Sequence, residues 1–68
     1  MNFQDALKNL LDGKKVRRKC WGKKVFLFHT TTVKLKWIND ENKEVILHTD
    51  QKFSVEECLA EDWEIFEL

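Results

Sequence analysis

The chain of 68 residues contains no proline and no tyrosine, and only two glycines and two cysteines. With no proline, no low-complexity stretch and no internal repeat to divide it, residues 1–68 read as a single domain. Gly13 and Gly22 stand far apart, which excludes a glycine-rich phosphate loop. Cys20 and Cys58 can make at most one bridge, and no Cys/His spacing matches a zinc site. No apolar run approaches the roughly 18 residues that a membrane span needs. The opening Met1-Asn2-Phe3-Gln4-Asp5 lacks the basic and apolar regions of a signal peptide. These absences predict a cytoplasmic protein with free thiols, no structural disulfide, no metal and no cofactor.

A chain this short buries only about 60% of the surface its unfolded state exposes, so it needs stabilisation from elsewhere. Disulfide and metal being excluded, a partner chain is the remaining source. Hydrophobic residues make up 43% and charged residues 35%, an ordinary soluble composition. The net charge of zero conceals a polarity. Residues 1–36 carry ten Lys/Arg against two acids, and residues 37–68 carry two lysines against ten acids. Either the two halves lie side by side in the fold or oligomer, or the basic half faces a phosphate-bearing partner. The neutral total argues against a dedicated nucleic-acid surface.

Phe3, Ala6, Leu7, Leu10 and Leu11 follow the spacing of one helical face, which predicts a helix over 3–12. Asn2 can cap it, Asp5 favours its positive end, and Gly13 can close it. The pattern then changes to strands: 15–21, interrupted at Trp21-Gly22, then 25–29, 33–38 and 44–48. Ser54 and Glu57 have the form of a capping box and start a short helical turn through Ala60. A last strand spans 63–68. The expected architecture is α+β: an N-terminal helix packed on an antiparallel sheet of four to five strands.

Pairing Leu35 with Val45 aligns Val33 with Leu47 and Lys36 with Glu44, which fixes an expected register. It leaves Phe26, Phe28, Ile38 and Ile46 on the face the helix does not cover, and such a face predicts a homo-oligomer, a dimer or a pair of dimers.

Chemistry-bearing residues are few. In that register His29 and His48 point to opposite faces, so they form no pair. Cys20 lies among cations but has no histidine nearby in sequence, and the paired acids Glu56-Glu57 and Glu61-Asp62 suit a solvated helix end. The chain is therefore not expected to be an enzyme. Trp21 follows the basic run Lys14-Lys15-Val16-Arg17-Arg18-Lys19, where an indole beside guanidiniums can stack a base. Trp21 and Trp63 can equally be core anchors. Strand alternation would place Arg17, Lys19 and Trp21 on one side and Arg18 on the other.

Both ends of the chain carry longer motifs. Met1-Asn2-Phe3-Gln4-Asp5-Ala6-Leu7, followed by Gly13-Lys14-Lys15-Val16-Arg17-Arg18-Lys19-Cys20-Trp21, resembles the "MNFxxAL" and "GKKVxRxGW" opening of the Thoeris anti-defence type of domain found in phages and prophages. The stretch from Phe53 to Ile65, with Leu59-Ala60-Glu61-Asp62-Trp63, is similar to that family's closing "D-x-L-A-x-D-W". Cys20 stands where the family has glycine, and the central loops are short. The resemblance implies a phage counter-defence protein acting in the host cytoplasm. It would sequester a cyclic nucleotide-derived, ADP-ribose-type messenger, glycocyclic ADP-ribose in particular, at junctions of a homo-oligomer and without turnover. The resemblance points to Trp21, Asp62 and Trp63 as ligand residues, since these match motif positions, and strand alternation adds Arg17 and Lys19 beside Trp21. A second expectation is binding to a host protein through the charged surfaces.

Overall fold

The structure, a computed structural model, describes residues 1–22 and 24–67. Helix α1 spans Phe3–Leu11, with the Asp5 N–H donating 2.9 Å to the Asn2 side chain as the cap requires. Gly13 takes φ +81°, a conformation that favours glycine, and its N–H closes on the Leu10 carbonyl at 3.0 Å. The strands are β1 (Val16–Arg18), β2 (Val25–His29), β3 (Val33–Ile38), β4 (Glu44–His48) and β5 (Trp63–Ile65), with α2 (Val55–Leu59) ahead of β5. All pairings are antiparallel, in the order β4-β3-β2-β1-β5. The fold is α+β, as the sequence predicts.

The helix face of the sheet holds the main core. Ala6 and Leu10 of α1 meet Val16, Leu27 and Trp63, all buried, with Phe3, Trp21 and Phe53 packed around them. The capping box at Ser54 and Glu57 forms in both directions and starts α2. From there the Glu57 carbonyl accepts the Trp63 indole N–H at 3.1 Å, tying α2 to the core.

Several expectations need correction. Strand β1 is three residues rather than seven, because the chain turns after Arg18. The Trp21 N–H bonds back to the Arg18 carbonyl at 3.0 Å, and the indole packs on Trp63. Similarly, β5 stops at Ile65, and the expected end of that strand at Leu68 lies outside the described residues.

The β3–β4 register is shifted by two residues: Trp37 faces Val45 and Ile38 faces Glu44. The Asn39 side chain accepts from the Glu41 and Lys43 N–H groups at 2.9 and 3.0 Å, which tightens the turn and carries both strands further. An even shift preserves the faces, and Lys36 still meets Glu44, diagonally, at 3.2 Å. A bulge then sets His48 opposite Leu35. The alternation that placed His29 and His48 on opposite faces therefore fails across the bulge.

The second face is not left open. Phe66 leaves β5 and stacks on Phe26, centroids 4.6 Å apart and planes at 14°, so that Phe26, Ile38 and Phe66 form a small core of their own. Lys15 and Lys36 lie over the Phe26 and Phe28 rings at 5.1 and 5.0 Å and both bind Glu44. Thus the chain covers Phe26 and Ile38 itself, while Ile46 stays 49% exposed.

Candidate functional site

Trp63 anchors the region. It is 1% exposed, and Phe3, Phe53 and Trp21 surround it with centroids 5.6, 6.2 and 5.5 Å away. Trp21 stands edge-on to it at 79°, half-buried, and presents the rest of its indole to a hollow of about 360 Å³. Gly22, Val25, Leu35, Gln51 and Glu57 complete the described lining. The floor is apolar, from β2 and β3. The polar groups come from the segment after β4 and from α2. Such a site can take a flat ring against the indole, with Gln51 and Glu57 at its polar edge.

The basic run reaches this region with its guanidiniums already engaged. Arg18 forks onto Asp62 with bonds of 2.6 and 3.2 Å. The Arg18 hydrogen bond holds the Asp62 carboxyl below the usual carboxylate range, against the desolvation that opposes it, and Asp62 in turn raises Arg18. Arg17 lies 3.5 Å from Glu64 and donates to the Trp21 carbonyl, while its buried Nε has no hydrogen-bond partner among the described residues. Lys19 is exposed, and its backbone N–H meets the Asp62 carbonyl at 3.0 Å. The oppositely charged halves of the chain thus lie side by side, strand against strand.

Of the five residues singled out in the sequence, Trp21 lines the hollow, Trp63 packs against Trp21 without entering the described lining, and Arg17 touches the Trp21 backbone. Asp62 is committed to Arg18, and Lys19 points its charge to solvent beside them. Gln51 and Glu57 were not foreseen at this site. The cross-strand match of Arg17 with Glu64 was a usable signal, since β1 and β5 pair Val16 with Ile65.

Helix, five-stranded antiparallel sheet and aromatic anchor together define a small single-sheet α+β domain. Residues 1–66 match the Tad2-like family model, described as the Thoeris anti-defense 2-like domain, and the chain belongs to that family. Its role is accordingly anti-defence. Comparison with curated proteins found no match. Among the described residues no helix is long and apolar enough to cross a membrane.

Proposed function

We propose that the protein is a phage counter-defence factor that binds a cyclic nucleotide-derived, ADP-ribose-type messenger in the host cytoplasm. It holds the messenger without turning it over, and it works as a homo-oligomer. The observation that carries this reading is the half-buried Trp21, braced edge-on by Trp63 at the mouth of a hollow of about 360 Å³. That volume lies in the lower part of the range, roughly 300–1,000 Å³, that small-molecule sites occupy. It suits one base with its ribose.

In this reading Trp21 stacks the base and Trp63 keeps the indole in place. Lys19 supplies charge toward the phosphates, Arg17 holds the Trp21 backbone, and Asp62 orients Arg18. No covalent step is needed. Rigid aromatics and nearby cations suffice to hold a charged nucleotide.

The alternative, docking to a host protein through the charged halves, has less support because those charges pair within the chain. The outward Val55 and Leu59 of α2, 75% and 76% exposed, are the surface that best favours it.

Thermal melts with glycocyclic ADP-ribose test the proposal. At a hundredfold excess over Kd, binding adds about 2.7 kcal/mol, a rise of roughly 10–20 °C for a domain of this size. An unchanged melting temperature, with a host protein retained on the immobilised chain, would favour the alternative.

A further inference from the structure

We propose that the ribose-phosphate half of the messenger is held in a second hollow, formed by His48, Asp50 and Lys52 and joined to the Trp21 hollow at Gln51. This rests on the proposed sequestration and places the part of the ligand for which the Trp21 hollow has no room.

A hollow of about 360 Å³ takes one base with its ribose. Beyond these, an ADP-ribose-type molecule carries a pyrophosphate and a second ribose. The chain has another hollow of about 260 Å³, lined by His48, Asp50, Gln51 and Lys52. Gln51 belongs to both linings, so the two hollows adjoin at that residue.

The bulge in β4 brings an imidazole to this side of the sheet. Ile46 faces Lys36, and unbroken alternation would set Leu47 opposite Leu35. The inserted residue sets His48 there instead. Directly opposed residues share a face, so His48 comes to the face of Leu35, which packs on the main core and lines the Trp21 hollow. The segment after β4 is then tied down. The Gln51 N–H donates to the Val33 carbonyl at 2.8 Å, and the Thr32 hydroxyl donates to the Thr49 carbonyl. The Gln51 side-chain amide donates to the Lys52 carbonyl at 2.9 Å. These bonds fix the backbone from which Asp50 and Lys52 project.

The donors of this hollow are also uncommitted. Lys15, Arg17, Arg18 and Lys36 are each engaged with a carboxylate. Lys52 and His48 are exposed, and among the described residues neither makes an ion pair. An ammonium and an imidazole N–H can bind phosphate oxygens, while the Asp50 carboxylate accepts from ribose hydroxyls. A carboxylate beside the lysine disfavours a bare polyanion and suits a sugar phosphate.

Nuclear magnetic resonance titrations of the full chain with glycocyclic ADP-ribose and with adenosine test the assignment. Adenosine fills only the Trp21 hollow, whereas the messenger fills both. The Trp21 indole signal is expected to shift with either ligand, and the His48 imidazole signals with the messenger alone. Lys52→Gln, at an exposed site, should leave the circular dichroism spectrum unchanged. It should weaken messenger binding about tenfold and leave adenosine binding within about twofold of wild type. Lys8→Gln, which removes an exposed charge of α1 that lines neither hollow, should leave both ligands within about twofold. A Lys52→Gln loss no larger than that of Lys8→Gln overturns the subsite and leaves sequestration standing, as does an equal loss for adenosine. If the wild type does not bind the messenger, sequestration of that molecule fails, and ribose 5-phosphate decides the subsite alone. His48 shifts that Lys52→Gln abolishes keep it, and their absence removes it.

Discussion

Truncating Phe66 to alanine tests whether the chain covers its own second sheet face. Phe66 is 7% exposed and stacks nearly parallel on Phe26, forming with Phe26 and Ile38 the buried part of the second core. Removing a fully buried Phe costs about 3–5 kcal/mol. Phe66 is slightly exposed rather than fully buried, so about 2–3 kcal/mol is the expected loss. A domain of this length holds only roughly 3–10 kcal/mol in total. The melting temperature should therefore fall by roughly 10–20 °C. Urea denaturation at fixed protein concentration measures it, with Leu59→Ala, at an exposed site, as a control within about 0.5 kcal/mol of wild type. A Phe66→Ala loss no larger than that control would mean that Phe66 does not seal this face, and the account of a second small core would be wrong.

Trp21→Ala should lower stability by about 1–2 kcal/mol, less than a fully buried Trp, and should weaken messenger binding by about 1–3 kcal/mol. Melts and titrations of the same variant read the two effects separately. Ser54→Ala removes one half of the capping box and should cost about 1 kcal/mol in denaturant unfolding without altering binding. The pH dependence follows from Glu44, whose carboxyl is lowered chiefly by its hydrogen bond from Lys15, with Lys36 adding to it. A depressed folded-state pKa gives stability that is present above the ordinary carboxylate range and lost as pH falls through the lowered value. Lys15→Met should flatten that acid limb, which melts between neutral and strongly acidic pH would register.

Local chemistry made much of the fold legible. Alternation within 25–29, 33–38 and 44–48 located three strands to the residue, and Asn2 and Ser54 announced both helices. What escaped depends on contacts distant in sequence. Trp21 leaves β1 because Trp63, far along the chain, offers a ring to pack against. Phe66 reads as a strand residue until Phe26 is seen to lack a cover. The register slipped because the Asn39 side chain builds a tighter turn than the apolar match at Leu35 suggested. At the site, the closing and opening motifs pointed to Trp21 and Trp63. Gln51 and Glu57 arrive there only through the path of the chain after β4, which no local pattern encodes.

Sequestration of an intact messenger is read out by mass spectrometry of the small molecules released by heat from protein purified out of immune-activated cells. One ADP-ribose-type cyclic nucleotide per site is expected, chemically unaltered and absent from Trp21→Ala protein purified alongside. Release of a linear or hydrolysed product, or of no nucleotide at all, would contradict it.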